Sequence, residues 1–281
     1  MKTQYLSALL LSSLLLLAGC EKMVTDVDIP EYEPKLVVHS FISSDEAHIN
    51  VYVSESIPVF GKPSSDVASE PIANATVVLR RNGQSITLPY EGYTAGYSIP
   101  VVDAGLQPGR TYTLEVSVPD GRQVTGECTI PSHRNETLEI TSVIKEAGEF
   151  DSLYTFQFRF RDDQAGEGNH YRVFAYLKVR FDPQSEPYVQ ELSFDKGEVY
   201  VSDENRDLST FTYRASAYAY KLEEVTFKLL TTDEDYYTYH RSVNFHSDGD
   251  PFSEPTLVFT NIRDGLGIFS GYRVYTVTQT F

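Results

Sequence analysis

The chain has 281 residues, with 23 Lys and Arg against 40 Asp and Glu, so its formal net charge is −17. Hydrophobic residues make up 41% of the sequence, which is typical of a folded protein and excludes wholesale disorder. The acidity argues against nucleic-acid binding, which depends on Lys and Arg neutralising phosphates. The two Cys exclude both a disulfide framework and a four-thiolate zinc site.

Residues 1–19 have the features of a secretory signal peptide. Lys2 supplies a positive start, and an apolar stretch follows that is shorter than the ~20 residues of a membrane-spanning helix. The stretch ends in Leu17-Ala18-Gly19-Cys20, which resembles the bacterial lipobox, in which the Cys thiol receives a lipid. We therefore predict cleavage after residue 19 and a lipid anchor in the membrane at Cys20. The alternative is an ordinary signal peptide that happens to contain a Cys.

The residues after the predicted lipidation site indicate which membrane the protein is attached to. Glu21 stands where Asp is associated with inner-membrane retention in well-studied bacteria, so we expect the outer membrane. Whether the protein faces the periplasm or the cell surface stays open. Residues 20–34 are rich in acids and Pro and are predicted to form an extended lipidated tether. Cys128 lies in an alternating pattern, which favours a buried structural thiol over a nucleophile.

Residues 35–131 are predicted to form an immunoglobulin-like β-sandwich. Ile49, Val51 and Val53 alternate with polar residues, as do the apolar residues of 111–118. A period of two indicates half-buried strands, and turn dipeptides such as Asn82-Gly83 separate them. Segments of this region also resemble transthyretin-like modules, which indicates a fold and no activity. These segments are residues 71–79, 96–99 and 106–114.

A second β domain is predicted for residues 136–281, after a boundary near 131–135. Tyr154, Phe156, Phe158 and Phe160 share one face of a strand, and further alternating segments follow up to a final strand at 271–281. We expect a second sandwich or a partly closed barrel. The fold class predicted for the whole chain is therefore all-β.

One short helix is expected near residues 233–244. Thr232 is the predicted N-cap, and acidic residues follow it in the first turn, where the helix dipole favours them. Four residues with a spacing of three to four then define an amphipathic face. These residues are Tyr236, Tyr239, His240 and Val243.

The sequence contains none of the hydrolase, zinc-protease or phosphate-loop motifs, so no catalytic residue, metal ligand or cofactor is assigned. His240, His246, Asp248 and Asp250 could form a metal site, but a helix followed by a plain turn is the favoured interpretation. The segment Asp203–Asp207 has the 1-3-5 spacing of a calcium loop, but Leu208 stands where Gly is required, which favours a solvated loop. A hydrolase among the many carboxylates is a less favoured alternative.

The tripeptide Asp151-Ser152-Leu153 matches a short Asp-Ser/Thr-aliphatic pattern. This pattern resembles the O-glycosylation signal of exported Bacteroidetes proteins, so Ser152 is a possible glycosylation site. The mass of the intact mature protein tests this prediction.

The C-terminal region carries the most specific resemblance. Several residues of the segment 261–269 match the Asn-Ile-x-Gly-Gly-Leu-Gly-Ile-Phe pattern of the "domain of unknown function 4249" family of Bacteroidetes lipoproteins, which also has a lipobox. Asp264 departs from the pattern at the first Gly. We expect the segment to plug the sandwich rather than to form an interface. The matching residues are Asn261, Ile262, Gly265, Leu266, Gly267, Ile268 and Phe269.

The resemblance implies a function but no site residues. Genes of this family usually lie beside TonB-dependent outer-membrane transporters, which suggests an accessory or cargo-recognition role for a non-catalytic lipoprotein. The alternative is a structural or adhesive surface lipoprotein. The possible partner is thus a TonB-dependent barrel, and the sequence does not indicate the ligand.

Overall fold

The computed structural model describes residues 33–57, 70–166, 168–180, 182–195, 197, 199–204, 208–245 and 257–281. The predicted signal peptide, Cys20 and most of the tether lie outside these residues. The strands are β1 (Leu36–Ile42), β2 (His48–Glu55), β3 (Thr76–Arg81), β4 (Gln84–Leu88), β5 (Tyr90–Glu91), β6 (Gly96–Pro100), β7 (Thr111–Ser117), β8 (Gln123–Thr129), β9 (Glu139–Ala147), β10 (Ser152–Arg161), β11 (His170–Arg180), β12 (Tyr188–Glu191), β13 (Val199–Ser202), β14 (Thr210–Ala219), β15 (Lys221–Thr232) and β16 (Leu266–Thr280). The helices are α1 (Val101–Ala104) and α2 (Glu234–Phe245). The all-β prediction with one short helix near 233–244 is confirmed.

The first core lies between two sheet layers. Strands β4, β3, β7 and β8 form a four-stranded sheet that packs against β1, β2 and β6. The predicted alternation is present, since Ile49, Val51 and Val53 are buried in this core. Cys128 of β8 is buried there as predicted, and burial raises the pKa of its thiol.

The second core lies beneath the three-stranded sheet β14-β10-β9. Phe156, Phe158 and Phe160 of β10 are buried and face β11 and β15. The rings of Phe158 and Phe227 lie 4.6 Å apart between centroids, so aromatic packing joins the two layers.

A single strand, β16, connects the two cores. Its first half pairs in parallel with β1, and its second half pairs antiparallel with β15. One nine-stranded sheet therefore passes through both cores in the order β12-β11-β15-β16-β1-β2-β6-β5, with β13 also paired to β11. The described residues of 34–57 and 70–281 belong to one compact unit. Residues 131–135 thus lie along the chain between the strands of the two cores, and one sheet is shared by both cores.

The turn between β1 and β2 also forms hydrogen bonds to β16 at this junction. Asp45 accepts hydrogen bonds from Arg273 Nε at 2.6 Å and from the Val274 amide at 2.9 Å. Arg273 and Asp45 are both about 12–13% exposed, so their ion pair is shielded from solvent and contributes more than a surface pair.

Helix α2 lies on the outer face of the nine-stranded sheet, where it contacts β11, β13 and β16. Its N-cap is Asp233, whose Oδ1 accepts the Tyr236 amide at 2.9 Å. The predicted cap, Thr232, was one residue early because Thr232 still belongs to β15 and is buried. No helix in the described part of the chain is long and apolar enough to cross a membrane.

Candidate functional site

The outer face of the nine-stranded sheet carries large side chains beside α2. On β11 the residues Tyr171, Val173 and Ala175 point into the second core, so Arg172 and Phe174 point outward. Neighbouring strands add further aromatic residues on the same side. We call this surface the α2 face, and it consists of Phe41, Arg172, Phe174, Tyr200 and Tyr272 with Tyr236, Tyr239 and His240 of α2.

Helix α2 packs on this face through one turn of aromatic residues. Tyr236 is only 4% exposed and contacts the rings of Phe41 and Tyr272 at 5.0 and 6.1 Å between centroids. Tyr239 follows on the same side, as the spacing predicted. Val243 is 40% exposed, so the packed side of the helix ends before it.

His240 is stacked between two aromatic rings. Its ring lies 5.2 Å from Phe41 and 5.3 Å from Tyr200, and nearly parallel to both. Burial, assisted by the nearby charge of Arg172, lowers the pKa of His240 to about 3. Its Nε2 is buried and has no hydrogen-bond partner among the described residues. At neutral pH this imidazole is therefore uncharged and acts as one layer of an aromatic stack.

Two other histidines contact the same helix. His39 Nε2 lies 2.9 Å from the hydroxyl of Tyr239, and the ring of His170 lies 4.7 Å from that of Tyr237. Burial lowers the pKa of both histidines. Within the described chain, no carboxylate forms an ion pair with these two residues or with His240.

Two cations lie above the aromatic rings of the α2 face. The guanidinium of Arg172 donates to the hydroxyl of Tyr236 at 2.7 Å and lies 4.9 Å from the ring centre of Tyr200. Lys228 Nζ lies 6.0 Å from the ring centre of Phe174 and 3.7 Å from a carboxylate oxygen of Glu46. Such cation–π contacts hold positive charge over an apolar surface.

A cleft opens beside this group at the edge of β11. Its volume is about 290 Å³, and its lining includes Arg172, Phe174, Glu191 and Phe194. The cleft lies where β12 and β13 pair with different halves of β11 and leave a gap between them. Aromatic walls with one cation and one carboxylate suit a ligand that has both apolar and polar groups.

The family segment 261–269 has a structural place next to α2. Asn261 Nδ2 donates to the carbonyl of Phe269 at 2.7 Å, and its Oδ1 accepts the Phe269 amide at 2.9 Å. The same Nδ2 lies 2.7 Å from Asp235 Oδ2, which ties the segment to the helix. Ile268 and Phe269 are buried, as is Ile262, which supports the predicted plug, whereas Leu266 is only partly buried.

The two glycines of this segment, Gly265 and Gly267, are required for different reasons. Positive φ values occur at Gly267 (108°) and at Asp264 (62°), but not at Gly265. Gly265 is required for space, since a Cβ there would lie 2.7 Å from the Leu36 carbonyl oxygen. Asp264, the residue that departs from the family pattern, thus has the backbone conformation that Gly favours.

The remaining sequence predictions have mixed outcomes. Ser152 begins β10 and is only 8% exposed, and its glycosylation stays a prediction. His246, Asp248 and Asp250 lie outside the described residues.

Asp203 is fully buried rather than solvated, because its carboxylate accepts three hydrogen bonds from the backbone and side-chain N–H groups of 168–169. Within the described part of the chain, no group of three His, Cys, Asp or Glu residues could hold a metal ion.

The sequence did not predict how the α2 face is assembled. The outward alternation of Arg172 and Phe174 and the aromatic side of α2 were both visible in it. These side chains contact Phe41 and Tyr272 only because β1 pairs in parallel with β16, and no local sequence pattern predicts that pairing.

The family model described as "Domain of unknown function (DUF4249)" matches residues 24–278. The chain belongs to this family. The resemblance seen in the segment 261–269 therefore holds at the level of the family, over nearly the whole chain. No curated protein matches this DUF4249 member.

Two solved structures are distantly similar. A mutant of Salmonella alpha-2-macroglobulin is 11% identical, with a TM-score of 0.22; the match covers 74% of this chain but only 14% of that one. A Bacteroides uniformis protein, provisionally described as a carbohydrate binding protein, is 9% identical with a TM-score of 0.17. That match covers 87% of this chain and 98% of the other. Similarities this weak carry no argument about function.

Proposed function

We propose that this DUF4249 protein is a lipid-anchored, non-catalytic binding protein of the outer membrane, and that it assists a TonB-dependent transporter by recognising cargo. Family membership supports the transporter, because genes of the family usually lie beside genes for such transporters. The lipobox ending at Cys20 supports the anchor. The observation that carries the binding role is the α2 face with its adjoining cleft.

The chemistry of the α2 face favours binding over catalysis. His240 and the two neighbouring histidines, His39 and His170, contact aromatic side chains, and partial or full burial lowers the pKa of each below its usual value. A general acid or base near neutral pH needs a pKa close to the working pH, and that of His240 is about 3. Aromatic rings with cations held above them are instead typical of recognition surfaces.

The uncovered part of the face is where a ligand has access. Next to the α2 face, Tyr176 packs edge-on against Phe174, with 5.7 Å between centroids, and the described lining of the cleft beside Glu191 contains no residue of α2. Lys228 is paired with Phe174 across β11 and β15 and lies on the same side of the sheet. We propose that cargo contacts Phe174, Tyr176 and Lys228 and enters the cleft.

Co-purification from outer membranes tests the transporter role. The complete lipidated chain is expected to elute with a large barrel protein in a one-to-one ratio. Cys20→Ala is expected to leave the membrane fraction, because lipid chains supply the anchor. Anchoring without a barrel partner would instead support the structural or adhesive alternative. Lasting membrane association of Cys20→Ala would contradict the anchor.

A matched pair of variants tests the face itself. Tyr176→Ala with Lys228→Ala is expected to reduce transporter-dependent cargo uptake or partner binding at least about tenfold, since few aromatic and charged residues dominate most interfaces. Tyr93→Ala is the control, because Tyr93 is fully exposed on the β5–β6 turn, remote from the α2 face. Equal effects of the two changes would contradict the assignment.

A further inference from the structure

The three-stranded sheet ends in a long strand with an open edge. Strand β9 has nine residues and pairs only with β10 among the described strands. The opposite edge strand, β14, is partly closed, because Phe194 forms a bridge with Ala215 and the Asp195 amide donates to the Arg214 carbonyl at 3.1 Å. The β9 edge is thus the freer of the two.

The hairpin between β9 and β10 determines which backbone groups of β9 are open. The Gly148 amide donates to the Asp151 carbonyl at 2.9 Å, so this pair is hydrogen-bonded. Antiparallel pairs alternate, and the amides of Ser142, Ile144 and Glu146 therefore point toward β10. It follows that Val143, Lys145 and Ala147 point their N–H and C=O groups away from the sheet.

The side chains around this edge include exposed apolar groups. Ile144 is 48% exposed, and Phe150 on the hairpin turn is 81% exposed. Tyr218 of β14 is 70% exposed and lies opposite Leu153 of β10, on the same outer face as Ile144. Free backbone groups beside exposed apolar side chains are the two requirements for strand addition.

The charges at this end of the sheet are mostly acidic. Glu146, Glu149 and Asp151 are exposed and form no ion pair among the described residues. Lys145, which is next to Glu146 in the sequence, has its Nζ 5.5 Å above the ring of Tyr154. Three unpaired carboxylates favour a basic partner, whereas a second copy would bring another net charge of −17 to the contact.

We propose that the β9 edge binds an extended segment of a partner protein, in which apolar and basic residues alternate. The segment adds a fourth strand through Val143, Lys145 and Ala147. Its apolar side chains lie on the inner face beside Val143 and Ala147, and its basic side chains lie on the outer face beside Ile144 and Glu146. This surface is separate from the α2 face, so the two proposals succeed or fail independently.

Hydrogen exchange tests the proposal on the complete chain, with a ten-residue peptide of alternating Val and Lys as the probe. The peptide is expected to slow exchange of the outward amides of β9 at least about tenfold. Lys145→Pro removes an outward N–H without removing a bond to β10, so it is expected to abolish the effect. Lys145→Thr loses the same charge but keeps the amide, and it is expected to retain the protection.

Three outcomes would overturn the proposal. One is the absence of protection in residues 139–147 of the unaltered chain. Another is equal protection in Lys145→Pro and Lys145→Thr, which would indicate charge attraction without strand addition. The third is a concentration-dependent dimer in sedimentation that Lys145→Pro abolishes, since this would assign the edge to a second copy.

Discussion

The two halves of β16 follow different rules although they belong to one strand. Residues 266–271 pair in parallel with β1, are nearly all buried and include two glycines. Residues 272–280 pair antiparallel with β15 and become more exposed toward the end. The first half is constrained by the close approach of backbones, and the second by ordinary alternation. Close backbone contact therefore limits which residues are tolerated in the first half of β16, where the two cores meet. In the second half, the alternation of polar and apolar side chains sets the limit.

The largest effect is expected from Gly267→Ala. A Cβ at this position would lie 2.0 Å from the carbonyl oxygen of Val38, and φ is 108°. We expect a loss of about 5 kcal/mol or more of unfolding free energy, measured by urea denaturation. Gly121→Ala is the control, since φ there is 95° but no atom lies within 4 Å of the added Cβ. Similar losses in both variants would show that φ alone, and not the approach of β1, matters.

Side-chain truncation in each half gives the next effect. Phe269→Ala is expected to cost about 3–5 kcal/mol, because Phe269 is fully buried in the first core. Val277→Ala, in the second half, is expected to cost about 1 kcal/mol, since Val277 is only partly buried against the second core. Thermal unfolding of both variants measures the difference. A larger loss for Val277→Ala would reverse the comparison.

Asp233 lies where β16 changes its pairing partner, and its contribution to the stability of the fold is predicted to depend on pH. Asp233 Oδ2 accepts the amide of Gly271, the last residue paired with β1, at 2.7 Å. Burial raises the pKa of Asp233 to about 7, from 3.8. A raised carboxyl pKa stabilises the fold at low pH, and this contribution is lost as the pH rises toward 7.

The difference in unfolding free energy between the unaltered chain and Asp233→Asn isolates this contribution. It is expected to fall by about 1.4 kcal/mol per pH unit between pH 4 and 7, measured in urea at several pH values. Taking the difference removes the opposing contribution of His240, which stabilises the fold less as the pH falls below 6.5. Parallel pH profiles of the two proteins would contradict the prediction.

The smallest effect is expected from Asp264→Gly, just before the first half of β16. Asp264 has a φ of 62°, a conformation that Gly adopts without steric cost. The variant is expected to gain up to ~1 kcal/mol, whereas Asp264→Ala is expected to lose about 1 kcal/mol. Chemical denaturation measures both. Stabilisation by Ala would show that the conformation at 264 is not left-handed.

The sequence predicted the second half of β16 better than the first. Alternation in 272–280 made a final strand visible, and it was predicted to start at Gly271. The strand begins at Leu266, because glycines at 267 and 271 interrupt the alternation where β1 and β8 approach closely. The same reason explains why the segment 261–269 was seen as a plug but not as part of a strand.

The sequence by itself determined the all-β class, most strands, the position of α2 and the family, since these depend on local periodicity, turn residues and a short motif. Only the tertiary structure decided that β16 joins two cores, that Asp233 rather than Thr232 caps α2, and that Phe41, Arg172 and His240 form one face. Pairing between strands more than 200 residues apart leaves no periodic trace in the chain. It depends on which backbones can approach, and that is settled only when the whole sheet is assembled.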